Sequence, residues 1–140
     1  METLKFRRPD NWHAHLRQDE RLSNVSQYFD IYGRVLCMGN TSPLIETVDM
    51  AHEYKENIVS CGIDFEPVTC IMLTQDTTKE MIYEASEKGI RFVKFIPVGT
   101  STGAVKGLRL GDYKELHDIF SAITESGMHF LLHAELMSER

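Results

Sequence analysis

Apolar residues along this 140-residue chain follow two rhythms. In one, they run continuously for five to seven positions, rich in branched and aromatic types, at residues 34–38, 67–73, 91–96 and 129–133. Runs of that length and composition predict strands buried on both faces, as in a parallel sheet. An earlier strand candidate covers residues 11–16. In the other rhythm, apolar residues recur every three or four positions and predict amphipathic helices. Residues 47–59 bring Val48, Ala51, Tyr54, Ile58 and Val59 to one side; residues 78–88 carry Met81, Ile82 and Ala85, with Gly89 as the stop; residues 112–126 carry Leu116, Ile119, Phe120 and Ile123, with Asp112 as cap and Gly127 as the stop. A weaker helix spans 20–29, before Gly33.

The order is β-α-β-α-β-α-β-α-β, which predicts an α/β fold in one domain, residues 1–140, with right-handed crossovers. Strand-to-strand spacing is on the order of 30 residues, the size of one βαβ unit. Periodicity alone leaves a doubly wound sheet and a barrel both open. A (β/α)8 barrel needs about 250 residues, so this chain holds four units and the strand of a fifth.

Charge narrows the function classes. Fifteen Lys and Arg against 21 Asp and Glu leave a formal charge of −6, the opposite of what a phosphate backbone attracts, so no nucleic-acid partner is expected. No apolar run approaches the ~20 residues of a spanning helix, and the N-terminus lacks the apolar stretch of a signal peptide, so no membrane partner and a cytoplasmic location are expected. Cys37, Cys61 and Cys70 are odd in number and form no Cys-x-x-Cys pair, which predicts reduced, buried thiols.

Three features can carry chemistry. His13 and His15 lie two apart on a predicted strand, so both imidazoles project from one face and can share a metal ion; Arg17 continues the spacing and can aim its fork at a carboxylate. Lys94 lies inside Phe92-Val93-Lys94-Phe95-Ile96, where burial disfavours the ammonium; the neutral amine can take up carbon dioxide as a carbamate, an anionic metal ligand. His133 ends an apolar strand. Each has a plain alternative: surface or hydrogen-bonded histidines, an exposed loop arginine, a lysine snorkelling to the strand end. His52, His117 and His129 read as structural. The candidates gain force together, because a barrel would gather these strand ends around one axis while a doubly wound sheet would scatter them along a line.

Arg7-Arg8-Pro9-Asp10-Asn11-Trp12-His13-Ala14-His15-Leu16-Arg17 closely resembles the opening R-R-P-D-D-W-H-x-H-L-R of bacterial-type dihydroorotases, in the amidohydrolase superfamily. Gly33-Arg34 and Met38-Gly39-Asn40 resemble that family's second strand, Leu73-Thr74 its third, Val93-Lys94-Phe95-Ile96-Pro97 its carboxylated-lysine strand and Leu132-His133-Ala134-Glu135 its fifth. The resemblance implies the first half of a metal-dependent-hydrolase TIM barrel. It also implies two zinc ions, with His13 and His15 on the first, Lys94 as N6-carboxylysine bridging both, and His133 on the second. Arg17 and Asn40 match residues that hold the substrate carboxylate. The implied reaction is reversible closure of N-carbamoyl-L-aspartate to L-dihydroorotate in UMP biosynthesis, through a metal-activated water in the hydrolytic direction. The implied partners are that small molecule and, at most, a second copy of the chain as a homodimer.

The chain departs from the pattern at Gly39 for Pro, Ile96 for Tyr, Gln18-Asp19 for Asp-Gly and Ala134 for Gly, none of which removes a ligand. The family also takes a histidine from strand six and a proton-shuttling aspartate from strand eight. Neither falls within these 140 residues, so the chain by itself is expected to be inactive or nearly so. Two alternatives stand beside this reading: a related cyclic amidohydrolase such as a hydantoinase, and an inactive homologue serving as a binding or scaffolding subunit.

Overall fold

The computed structural model describes residues 3–100, 106–108 and 113–135, with only the backbone of residues 113–115. The elements run β1 (Asn11–Ala14), α1 (Arg21–Ser26) followed by a 3-10 turn (Gln27–Phe29), β2 (Arg34–Cys37), α2 (Val48–Ser60), β3 (Glu66–Met72), α3 (Lys79–Glu87), β4 (Phe92–Phe95), α4 (Tyr113–Glu125) and β5 (His129–Leu132). The expected cap Asp112 lies outside the described residues.

All neighbouring strands are parallel, and the sheet order is β1-β2-β3-β4-β5. That order decides between the two architectures left open by periodicity. A doubly wound sheet reverses its strand order at a switch point, whereas consecutive winding is what a barrel requires. The five strands are wound as in the first part of a (β/α)8 barrel.

The helix ends follow local chemistry. Thr47 and Thr78 cap α2 and α3, each side-chain oxygen accepting from the amide three residues on, Met50 and Met81, at 3.3 Å. Both α3 and α4 close with paired Schellman bonds: Ile90 N to Ala85 O at 2.8 Å with Gly89 N to Ser86 O at 3.1 Å, and Met128 N to Ile123 O at 3.1 Å with Gly127 N to Thr124 O at 3.1 Å. The turn needs a left-handed residue, and Gly89 (φ 88°) and Gly127 (φ 65°) supply it. One expectation fails at the end of α2: Val59 is 54% exposed, because one residue past Ile58 swings about 100° off the buried stripe.

The two faces of the sheet differ. On one, Val35, Cys37, Ile71, Val93 and Phe95 pack with Ala51, Tyr54 and Ile58 of α2, Ile82 and Ala85 of α3, and Ile119, Ala122 and Ile123 of α4 in one continuous core. On the other lie two smaller clusters, Leu36, Met38 and Cys70 against Val68, Phe92 and Leu131, and Met72 with Ile96 against Leu44. Lys94 shares this second face with Phe92, two positions earlier on β4.

Candidate active site

The site is assembled at the C-terminal ends of the strands. Lys94 is only 4% exposed and sits in register with Met72 of β3 and Leu131 of β5. Among the described residues no hydrogen bond or ion pair holds its ammonium. Desolvation lowers its pKa, against a smaller opposing influence from the neighbouring Cys70. Burial in turn pushes the Cys70 thiol up to about 11, although Lys94 and a hydrogen bond with the Gly39 backbone pull it down.

β1 delivers the histidines by an irregular route. Its register with β2 shifts between Asn11 and Ala14. Trp12 reaches Phe92, with ring centroids 5.9 Å apart, and the Arg34 guanidinium lies 5.0 Å from the Trp12 ring. His13 nevertheless meets His15, and both feel the charge of Lys94, so Trp12 and His13 turn toward the same concave face. The strand ends at Ala14, one residue before His15. The two rings thus meet beside a register irregularity in β1, with His15 already past the strand's end.

The two Nε2 atoms are 3.2 Å apart. Two ligand nitrogens at ~2.05 Å from one tetrahedral zinc would be about 3.3 Å apart, so the pair fits shared coordination. Both pKa values are lowered, for His13 by desolvation and then by Lys94 and His133, and for His15 by desolvation and then by His13, Arg17 and Lys94. Neutral imidazoles are the form a metal binds. The influence of His133 on His13 brings it into the same neighbourhood, one residue past β5, where its amide donates to Phe95 O at 2.9 Å. His133 Nε2 lies 2.6 Å from a Glu135 carboxylate oxygen. Among the described residues, no three His, Cys, Asp or Glu side chains by themselves form a metal-binding group. The donor set therefore fits two zinc ions only if Lys94 contributes carbamate oxygens.

Arg17 and Asn40 meet in a different space. A cleft of about 810 Å³ is lined by both, together with Arg21, Thr41, Glu46 and Lys106, but not by the histidines or Lys94. Of its cations, Arg21 is bonded to Asp19, and Lys106 lies 3.0 Å from Glu46 and 3.8 Å from Asp76. Arg17 alone among these cleft cations has no ion pair among the described residues. Its effect on His15 links the cleft to the histidine pair. Asn40 is buried at the end of β2. Sequence reasoning missed Glu135 as the partner of His133, although it closes the quoted Leu132-His133-Ala134-Glu135 motif. It also missed Lys106, which no periodic signal marks.

The remaining expectations are quickly placed. Cys37, Cys61 and Cys70 are free thiols, with Cys61 only half-buried. His129 stacks on Phe92 at 5.1 Å, away from the His13–His15 pair. No helix among the described residues is long and apolar enough to cross a membrane.

No protein-family model matches the chain. Curated relatives do match. The dihydroorotase of Vibrio campbellii is 37% identical over 140 aligned positions, covering 97% of this chain and 40% of the relative. That of Alkalilimnicola ehrlichii is 33% identical, again covering 97% and 40%. Among solved structures, Saccharomyces cerevisiae dihydroorotase in complex with 5-fluoroorotic acid superposes with a TM-score of 0.87 at 27% identity, over 94% of this chain and 37% of that one. Campylobacter jejuni dihydroorotase (TM-score 0.86, 21% identity, 99% and 43% covered) supports the fold alone. So does the Arthrobacter aurescens L-hydantoinase (TM-score 0.71, 18% identity, 91% and 29% covered). The chain spans 40% of the length of the curated relatives named here. Across nearly all of its own residues the chain is similar to dihydroorotases in both sequence and fold and corresponds to the N-terminal part of their barrel.

Proposed function

We propose that these residues form the metal-binding and carboxylate-binding part of a zinc-dependent dihydroorotase, which interconverts N-carbamoyl-L-aspartate and L-dihydroorotate in pyrimidine synthesis. The observation that carries this reading is the buried Lys94, without an ion pair among the described residues, whose charge acts on the His13–His15 pair, with nitrogens 3.2 Å apart. His13 and His15 would hold one zinc, Lys94 as its carbamate would bridge to a second, and His133 would bind that second ion. Zinc, when bound, supplies a Lewis acid and lowers the pKa of bound water toward ~7.

The protein's own part is orientation and exclusion. Arg17 offers a planar pair of donors to one carboxylate, with Asn40 beside it on the cleft wall. Fixing that end of the substrate converts an encounter into an intramolecular geometry. Glu135, accepting from Nε2–H of His133, would leave the Nδ1 lone pair of that ring open to a metal. Three free thiols suit a reducing, cytoplasmic setting.

The test is ring closure. The chain supplemented with the C-terminal half of a dihydroorotase barrel and loaded with zinc in bicarbonate buffer is expected to form dihydroorotate from N-carbamoyl-L-aspartate and to bind 5-fluoroorotate. Hydantoin hydrolysis without ring closure would transfer the assignment to another cyclic amidohydrolase, and failure to bind zinc would favour a scaffolding homologue. Residues 1–140 alone, lacking the further histidine and aspartate implied by the resemblance, are expected to turn over little or nothing. Light scattering tests the homodimer.

A further inference from the structure

We propose that Gln18 is a positioning residue for substrate binding: its side-chain amide clasps the loop after β1 to the loop after β2 and so holds Arg17 and Asn40 at their mutual distance. The proposal rests on the reading of Arg17 and Asn40 as carboxylate-binding residues. Gln18 Nε2 donates to Thr41 Oγ1 at 2.5 Å and to Pro43 O at 2.7 Å, using both amide hydrogens. The Thr41 hydroxyl donates onward to Pro43 O at 2.7 Å. The clasp thus closes on itself, with Gln18 next to Arg17 in sequence and Thr41 next to Asn40.

Three features argue that this is more than a surface contact. Arg17 has φ of 69°, a left-handed conformation that is sterically costly for a non-glycine residue. Among the described residues it is the one non-glycine residue in that region, and its guanidinium has no salt bridge to hold it. A strained residue persists where its surroundings over-determine it, and the neighbouring Gln18 supplies two of the constraints. Second, the partners demand an amide. Pro43 O only accepts, and the hydroxyl hydrogen of Thr41 is already committed to it, so the group opposite must donate twice. A carboxylate cannot, which gives the departure at position 18 from the family's Asp a physical meaning specific to this chain. Third, Gln18 and Thr41 line the same cleft as Arg17 and Asn40.

The test compares Gln18→Met, which keeps the shape and loses both donors, with Thr41→Val and Thr41→Ser, each in the chain supplemented with the C-terminal half of a dihydroorotase barrel. Binding of 5-fluoroorotate and KM for N-carbamoyl-L-aspartate are expected to weaken about tenfold in Gln18→Met, the scale of one or two lost hydrogen bonds, while kcat falls less than threefold. Thr41→Val should lose severalfold, Thr41→Ser should stay near the parent, and Gln18→Met combined with Thr41→Val should cost little more than Gln18→Met alone. A Gln18→Met protein with parental binding and KM overturns the proposal, as does one whose loss lies in kcat alone. Amide hydrogen exchange at Arg17 and Asn40 gives a second readout. If the parent fails to bind 5-fluoroorotate, the functional reading falls and the clasp stands or falls on exchange alone: faster exchange at both residues in Gln18→Met upholds it, and unchanged exchange overturns it.

Discussion

The two faces of the sheet are built to different ends. The helix-covered face buries Val35, Cys37, Ile71, Val93 and Phe95 in one continuous apolar core. The concave face interrupts its apolar clusters with Lys94 and, at its rim, His13, His15 and His133. A buried amine without a counter-charge lowers stability, so its presence on one face only marks where the molecule sacrifices stability for chemistry. Substitutions on the covered face should therefore move stability and spare binding, and those on the concave face should do the reverse.

The sharpest way to break that contrast is Lys94→Met. Ring closure by the chain supplemented with the C-terminal half of the barrel is expected to fall by at least ~10³-fold, about 4 kcal/mol of transition-state stabilisation, with loss of bound zinc by elemental analysis. Urea denaturation of the same metal-free variant should show stability unchanged or raised, by about 1 kcal/mol, because the desolvated amine is gone. A destabilised metal-free variant would contradict the contrast. Ile82→Ala on the covered face is expected to cost about 3 kcal/mol in urea denaturation while the folded fraction still binds zinc. Arg17→Met, in the cleft, should raise KM about 30-fold, about 2 kcal/mol, with little change in thermal midpoint. Gly127→Ala, remote from the site, should cost about 1 kcal/mol by forcing a side chain into φ of 65°.

The smallest expected effect is on pH. His13 and His15 have folded pKa values below the ordinary 6.5, so the unfolded chain binds protons there first. Stability contributed by keeping them neutral is fully present above about pH 6.5 and declines as pH falls below it. Denaturation midpoints of the metal-free chain at pH 7.5 and 5.5 should differ in that direction. The dependence should shrink in a His13→Gln, His15→Gln double variant.

Much of the fold was legible because local and global signals agree. Continuous apolar runs became β2 to β5, Thr47 and Thr78 began helices, and Gly89 and Gly127 ended them. Val59 was misread because a hydrophobic residue at the end of a helix looks the same whether it faces the core or the water. Of the candidate site, residue type and spacing reach as far as neighbourhood: His13 and His15 meet, and the charge of Lys94 acts on both. The β1 irregularity was not legible, since nothing in Trp12-His13-Ala14 announces a register shift. Nor were the tertiary ties. Arg8 donates to the Asp30 and Asp64 carbonyls, and Arg34 reaches Asp10 at 2.6 Å, so part of the motif that resembles the family's opening serves to fasten the N-terminal segment rather than to react. Pairings between residues 22 to 56 positions apart leave no periodic trace in a single chain.

The thiol beside Lys94 has one last consequence. Sulfur is a softer, stronger zinc donor than imidazole or a carbamate, and an ionised cysteine at that spot would compete for the ion. Burial holds the Cys70 thiol up at about 11, packed against Leu36 and Met38, so in the proposed site the choice of ligands would fall to nitrogen and oxygen. Dryness on the concave face thus does two jobs at once: it unmasks the amine and silences the thiol.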